Sequence, residues 1–283
     1  MARRLFALGL FVALAATASA QPPAAAPAAP RFKWEAGQTL AYRVVQVTTV
    51  SETTLDEKTN KPTTGEAKTS LTIDRKWTVK AVDAAGVATL EMSITAMKNE
   101  FRQPDGSVSG KDSSKPEDAK EMAAYLNTPI VVVRMDTKGN LVEVKEAKGG
   151  TAARLQAELP FRLTLPDAAP AANATWDRPF VMKLDPPHGT GESYDFAQKY
   201  TSKGEKDGYL IVGVDTALKN PPKNVSEQVP LVPMLWNGDV YFHPATGRYA
   251  GSRLKSKAEL VNFQGEGTKF VYESSYSEDW VQK

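Results

Sequence analysis

Cysteine is absent from this sequence of 283 residues, and histidine occurs only twice, at His188 and His243. The lack of thiols excludes a disulfide framework, a lipid-modified N-terminal cysteine, a thiolate metal site and a cysteine nucleophile. No His-Glu-x-x-His motif occurs, and each histidine lies beside proline in a loop or at a hairpin edge. Both are therefore interpreted as surface residues, and we expect no metal and no cofactor.

Motifs for catalysis and nucleotide binding are also missing. The spacing from Gly106 to Lys111 is one residue short of a phosphate loop, and Asp112 stands where serine or threonine is needed. Ser252 and Lys255 have Ser-x-x-Lys spacing, but in a strand residues three apart point to opposite faces. The sequence therefore favours a protein that is not an enzyme. A hydrolase whose acidic residues come from distant strands is the less favoured alternative.

Neither sign of charge dominates, since 35 basic residues stand against 33 acidic ones. No basic block stands out, so a nucleic acid partner is disfavoured. Beyond the N-terminal region, no apolar run approaches the length of a membrane span, and we expect no transmembrane helix in the mature protein.

The first twenty residues have the pattern of a signal peptide. Arg3 and Arg4 form a basic region, residues 5–16 form a short apolar run, and a small-x-small site ends at Ala20. The alternative is an N-terminal anchor that stays attached, but the apolar run is short for a membrane span. The pattern predicts export, with the mature protein in the periplasm or secreted.

Composition divides the rest of the chain. Residues 21–31 are rich in proline and alanine and are predicted to form a disordered tether. Residues 32–165 and 166–283 are predicted to be two β-rich halves, which can also form one continuous domain. A second stretch rich in proline and alanine, residues 166–174, is interpreted as the joint between them.

Period-two alternation of apolar and polar residues is the main structural signal. It predicts a hairpin around a turn at residues 83–86, and another whose strands are residues 130–135 and 141–144. The apolar positions of the first hairpin are Leu71, Ile73, Trp77, Val79 and Ala81, then Ala88, Leu90, Met92, Ile94 and Ala96.

Two short helices are predicted. Ser114 and Glu117 have the spacing of a capping box ahead of a helix over residues 116–127, and a shorter helix is expected over residues 151–159. The predicted fold class is therefore mainly β, a curved antiparallel sheet or half-barrel with one or two short helices.

The two halves share landmarks in the same order, which predicts an internal duplication. The alternative is that β-hairpins share turn residues for physical reasons. The matched landmarks are Thr39-Leu40 with Thr175-Trp176, Trp77 with Tyr200, Gly86 with Gly208, Leu90 with Val212, and Gly139 with Gly247.

Three residues are the candidate ligand-binding site, namely Arg75, Trp77 and Tyr200. Arg75 falls on the apolar side of its strand beside Trp77, and Tyr200 is the matching aromatic position of the second half. A cation on a buried face is costly unless it is paired or reaches a wet cavity. The two interpretations are a polar anchor in a ligand cavity and an arginine at a bulge or sheet end that extends to water.

The order of signal, hairpins, helix and returning strands resembles the exported carriers of outer-membrane lipoproteins. That resemblance implies a curved antiparallel sheet closing part-way around one or more helices, with an apolar concave face. The chain is also similar to exported bacterial β-rich proteins that carry a joint like the one from Leu165-Pro166 to Thr175-Trp176. The resemblance has no diagnostic motif, so it implies a fold and no site residues.

The predicted function is non-enzymatic binding of an apolar or amphipathic ligand, such as a lipid-like molecule, in the cell envelope. The alternative is a structural or interaction module of the envelope with a filled core and an envelope protein as its partner. An empty apolar cavity favours the first, and a solid core favours the second.

The leader gives the first testable prediction. The exported protein should begin at Gln21, because the small-x-small site ends at Ala20. Intact mass or N-terminal sequencing of the exported protein measures this, and a retained Met1 contradicts it.

Overall fold

The computed structural model of the protein describes residues 28–56, 58–148, 152–184, 186 and 189–281. The predicted leader, most of the proline- and alanine-rich tether and His188 lie outside the described residues.

Strands account for most of the described chain, in keeping with its alternating sequence. The helical elements are α1 (Pro116–Glu121), α2 (Ala152–Glu158) and a 3₁₀ segment (Val225–Met234). The strands are β1 (Thr39–Leu55), β2 (Pro62–Val82), β3 (Ala88–Arg102), β4 (Val108–Asp112), β5 (Pro129–Met135), β6 (Leu141–Ala147), β7 (Thr175–Leu184), β8 (Glu192–Lys206), β9 (Tyr209–Leu218), β10 (Asn237–His243), β11 (Arg248–Val261) and β12 (Lys269–Trp280).

All of these strands belong to one antiparallel sheet, in the order β6-β5-β3-β2-β1-β12-β11-β10-β9-β8-β7, with β4 paired to β3. The first and last strands of the chain are neighbours in its middle, so β1 and β12 join the two halves. The sheet is not closed into a barrel, and β6 and β7 are its edges. The predicted fold class, a curved and mainly β antiparallel sheet with few helices, is confirmed.

The connection from β6 to β7 covers the apolar face of this sheet. Helix α2 contacts both edge strands, and residues 159–165 then run across the sheet; we call them the crossing segment. Phe161 and Leu163 of this segment are fully buried in the main core, among side chains of both halves such as Trp77 and Tyr200. The chain therefore fills the inner face of its own sheet.

Phe161 is the centre of this packing. Its ring centroid lies 5.5 Å from that of Trp77 on β2, 5.6 Å from Tyr249 on β11 and 6.0 Å from Tyr42 on β1. Phe32, from the segment before β1, lies 5.7 Å away. Rings at such distances in tilted geometry add to the free energy of burying their apolar area.

The predicted helix over residues 116–127 is wrong in length and in its cap. Helix α1 ends at Glu121, and Tyr125, expected on the apolar face, is 55% exposed. Ser114 donates to Asp112 and does not cap the helix, whose first turn contains Pro116. Because only Met122 is buried here, tertiary packing gives the segment little reason to stay helical. The second predicted helix, over residues 151–159, corresponds to α2.

The cross-strand registers agree at the landmarks that the two halves share. Leu40 lies opposite Trp77 in the β1–β2 pair, and Trp176 lies opposite Tyr200 in the β7–β8 pair. The preceding residues Gly37 and Asn173 both have positive φ, at 85° and 66°. The duplication itself stays a prediction, and superposition of residues 32–165 on 166–283 is its test.

The next strand pairs continue the agreement. Trp77 is opposite Met92 in β2–β3, and Tyr200 is opposite Val214 in β8–β9. These are the partners that the matched landmarks predict, since Met92 and Val214 hold the same place after their respective turn glycines, Gly86 and Gly208.

Two turn glycines hold the segment that precedes β1. The Phe32 amide donates to the Thr137 carbonyl at 2.7 Å, beside Gly139, and the Lys33 amide donates to the Gly247 carbonyl at 3.0 Å. A Cβ on Gly139 would lie 2.6 Å from the Phe32 ring, and one on Gly247 would lie 2.6 Å from the Lys33 nitrogen. Both glycines also have positive φ.

These contacts predict that Gly139→Ala and Gly247→Ala are more destabilising than the same substitution at a glycine with positive φ and no close neighbour. The left-handed conformation costs an alanine about 1–2 kcal/mol, and forcing a methyl group against backbone adds about 1–3 kcal/mol. Gly106→Ala is the matched control, because Gly106 has φ 84° but nothing lies within 4 Å of its Cβ position. Urea unfolding followed by circular dichroism measures the three losses, and equal losses contradict the prediction.

Candidate functional site

The structure brings two of the three predicted site residues together, since the guanidinium carbon of Arg75 lies 5.9 Å from the centroid of the Trp77 ring. Trp77 and Tyr200 are fully buried in one apolar core, where Trp77 contacts Phe161 and Tyr200 stacks on Trp176 with ring centroids 5.6 Å apart. Arg75 also lines two pockets, a cleft of about 270 Å³ beside Thr95 and Trp280 and a smaller pocket at one end of this core, and neither the Trp77 nor the Tyr200 ring lines them. The candidate site is therefore built around Arg75.

The smaller pocket lies where α2 and the crossing segment meet strands β3 and β5, and its volume is about 140 Å³. Its apolar wall comes from both sides of this junction and consists of Met92, Ile130, Val131, Leu155, Leu159 and Pro160. Its charged lining is Arg75, Lys148, Arg154, Glu158 and Arg162. The pocket thus has an apolar wall and a mostly cationic polar lining.

Arg75 reaches the pocket through a buried ion pair. Its guanidinium donates from Nε to Glu278 Oε1 at 2.7 Å and from Nη2 to the Pro160 carbonyl at 3.2 Å. The Glu278 side chain on β12 is fully buried, and the Arg75 side chain is 16% exposed. Tyr249 and Tyr276 each donate a hydroxyl to Glu278 Oε2 at 2.9 Å. Both carboxylate oxygens are therefore satisfied, as a buried charge requires.

The electrostatics of this group fix its protonation. Burial by itself would lower the pKa of Arg75, but Glu278 together with Tyr276 and Tyr249 outweighs it and the pKa is raised. Burial, reinforced by the Glu278 charge, raises the pKa of Tyr276 and of Tyr249. Arg75 is thus charged and the two tyrosines are neutral donors at any physiological pH.

A second buried cation comes from the crossing segment. Arg162 is 10% exposed, pairs with Glu158 at 2.8 Å, and lies over the Tyr276 ring at 4.7 Å and the Trp236 ring at 5.7 Å. Its backbone has φ 56°, and Leu159 three residues earlier has φ 57°. Positive φ in bulky residues is strained and persists where the surrounding structure enforces it.

Glu158 is the carboxylate within the pocket lining. Burial would raise the pKa of Glu158, but the charges of Arg162 and Arg154 outweigh it and the pKa is lowered. Arg154 Nε donates to Glu158 at 3.1 Å and its side chain is 54% exposed, so it lies at the mouth of the pocket. Two arginines therefore share one carboxylate.

The second half has a different polar group at the place that matches Arg75. Gln198 is buried, accepts from the Tyr200 hydroxyl at 2.6 Å and donates to Thr216 at 3.1 Å. Arg178 donates to the Gln198 side chain at 3.2 Å and to the Ala157 carbonyl of α2 at 2.8 Å. Polar groups of both halves thus hold the connection that crosses the sheet.

Sequence reasoning missed Glu278 and Arg162. Glu278 could have been found, because strand alternation places it on the same face of β12 as Tyr272, Ser274 and Tyr276. Strand alternation also singled out Arg75. Arg162 lies in irregular chain, where no periodicity shows which side chains face the core.

Two kinds of site are not seen. Within residues 28–281, leaving out the gaps in the description, no three histidine or acidic side chains come together as metal ligands. No helix in the described chain is long and apolar enough to cross a membrane.

No protein-family model and no curated protein matches the chain. Among solved structures, it is similar to lipovitellin, described for its lipid–protein interactions, at 14% identity and a TM-score of 0.48, over 88% of this chain and 26% of that one. The chain thus spans about a quarter of that lipovitellin chain. It is also similar to DynF of the dynemicin pathway of Micromonospora chersina, at 8% identity and a TM-score of 0.21, over 92% and 88% of the two chains. Likeness at this level says nothing about a ligand or an activity.

The buried pair predicts that removing both charges destabilises the protein less than removing Arg75 alone. Arg75→Met should lower the free energy of unfolding by about 3–5 kcal/mol, because Glu278 is then buried without its cation. Arg75→Met combined with Glu278→Met removes both charges and should be more stable than Arg75→Met alone. Urea unfolding of both variants measures the difference.

An exposed pair serves as the control. Lys257 and Glu273 are 2.5 Å apart, with side chains 70% and 53% exposed, so Lys257→Met should leave the unfolding midpoint nearly unchanged. An Arg75→Met variant that is as stable as the parent would show that the buried pair does not hold the sheet and the crossing segment together.

Proposed function

We propose that this protein is a non-enzymatic binding protein of the cell envelope that holds a small amphipathic ligand in the pocket beside α2. The observation that carries the proposal is the lining of that pocket, in which an apolar wall ends on the buried cation Arg75. Export rests on the predicted leader, which supports a periplasmic or secreted location.

The apolar wall supplies the binding energy in this proposal. Met92 and Val131 are buried, while Ile130 and Leu155 pack only partly against the core and keep surface towards the pocket. Covering such surface is worth about 25 cal/mol per Å², so even a short hydrocarbon body is held. The charged residues then orient the polar end of the ligand.

The volume limits what the ligand can be. A cavity of about 150 Å³ holds benzene, and drug-sized ligands occupy about 300–1,000 Å³. At about 140 Å³ the pocket takes a body of benzene size. A long acyl chain would need the space that Phe161 and Leu163 fill. The lipid-like ligand predicted from the sequence must therefore have a short hydrocarbon body.

The filled core favours a second candidate, a structural or interaction module of the envelope. With Phe161 and Leu163 fully buried across the sheet, the larger part of the inner face is solid. In that case the edge strands β6 and β7, with Val142 and Val181 more than half exposed, are the surfaces left for a partner protein.

Binding of benzyl alcohol tests the proposed function. We expect this uncharged probe of the right size to shift the methyl resonances of Met92 and Leu155 saturably, because both line the pocket. Leu155→Trp should fill the pocket and abolish the shift of Met92. Nuclear magnetic resonance titration of the folded protein measures both.

Val181→Trp on β7 is the control, since Val181 is 56% exposed and should accept the larger ring without affecting binding. If neither benzyl alcohol nor a charged analogue of the same size gives a saturable shift, the binding proposal fails and the interaction module is left.

A further inference from the structure

We infer that the ligand of this pocket is a small organic monoanion, a carboxylate carried on a hydrocarbon body of about six carbons. This rests on the proposed function and adds the chemical class of the ligand to it. The inference is argued from the charges, the available donors and the backbone of the pocket.

The charge balance favours an anion. Four cationic side chains and one carboxylate line the pocket, and Glu278 behind Arg75 adds one more negative charge. Counting only the three arginines against these two carboxylates, one positive charge is left over in a partly buried site, where it is screened less than on an open surface. A cationic ligand would be repelled, and a neutral one would leave the excess uncompensated.

Hydrogen-bond donors of Arg75 and Arg162 remain available for that anion at the buried end of the pocket. A guanidinium has five N–H groups. Arg75 uses Nε and Nη2 for Glu278 and Pro160, and Nη1 has no hydrogen-bond partner among the described residues. Arg162 uses Nη2 for Glu158, and its Nε and Nη1 likewise have none within the described chain. Two nearly buried guanidinium groups thus present unused donors where they line the same pocket.

The backbone strain supports a built site. Leu159 and Arg162 both have positive φ and both line the pocket, one in its apolar wall and the other in its cationic lining. Neither residue is glycine or asparagine, for which such angles cost little. Strain of this kind gathers where side chains must be held in a set position. Here it accompanies the placement of the Arg162 guanidinium over the neighbouring Trp236 and Tyr276 rings.

Carboxylate is the anion that this arrangement fits. A planar carboxylate can accept from two guanidinium groups, as Glu158 does from Arg154 and Arg162 at the mouth. The pocket volume of about 140 Å³ suits a benzene-sized body. Both a short aliphatic acid and an aromatic acid meet this description, and hexanoate and benzoate are the probes that tell them apart.

The test compares three probes of one shape at pH 7, namely benzoate, benzyl alcohol and benzylamine, by calorimetry and by the Met92 methyl shift. We expect benzoate to bind at least tenfold more tightly than benzyl alcohol, and benzylamine more weakly than both. Hexanoate against benzoate then shows whether the body is a chain or a ring.

Variants show which residues carry the preference. Arg154→Gln, at a side chain 54% exposed, should reduce the preference for benzoate over benzyl alcohol severalfold without affecting folding. Arg162→Gln should remove most of the preference, and its unfolding curve checks that it is folded. Arg102→Gln is the control, because Arg102 is 60% exposed, also neighbours a glutamate and lies away from the pocket.

Each outcome decides the inference. A tenfold preference that falls in Arg154→Gln and persists in Arg102→Gln supports it. Equal affinity for benzoate and benzyl alcohol, tighter binding of benzylamine, or a preference unchanged in both pocket variants overturns it and leaves the proposed function standing. Failure of every probe to bind overturns both proposals together.

Discussion

The constraint on which this structure depends is that an open, curved sheet with an apolar inner face must cover that face with something. Here the chain does so itself, by passing residues 159–165 between its two edge strands and placing Phe161 among rings from the N-terminal segment, β1, β2 and β11. Because the crossing segment is irregular, its backbone groups need partners inside the core. Trp176 donates to its Thr164 carbonyl at 2.7 Å, and the Leu165 amide donates to Lys138 at 2.8 Å.

The buried charges follow from the same constraint. Arg75 satisfies the Pro160 carbonyl of the crossing segment, and Arg178 satisfies carbonyls of α2. A cation taken out of water for this purpose needs a carboxylate, which β12 supplies as Glu278 from the strand that joins the two halves. Polar groups from both halves of the sheet therefore hold the crossing connection.

The function that we propose depends on what the crossing segment leaves uncovered. It fills the centre of the inner face, and it contributes Arg162 and Leu159 to the small space beside α2. The solid centre and the small cationic pocket thus have one origin. The size of the pocket decides against a long acyl chain, and its charge decides the class of ligand that we propose.

The sequence by itself determined the elements whose signal is local. Alternation predicted the hairpins around Gly86 and Gly139, and it placed Arg75 and Trp77 on the inner face, because side chains alternate in a strand whatever it pairs with. Whether Trp77 and Tyr200 line a cavity or form solid core was decided only by the tertiary structure, since Phe161 comes from more than eighty residues beyond Trp77 in the chain. The position of Arg162 was also decided by the tertiary structure, because its segment is irregular and has no alternation of apolar and polar residues. So was the length of the helix predicted over residues 116–127, which lacks the packing to continue past Glu121. Local patterns fix which face a side chain takes, but what meets that face depends on contacts between distant parts of the chain.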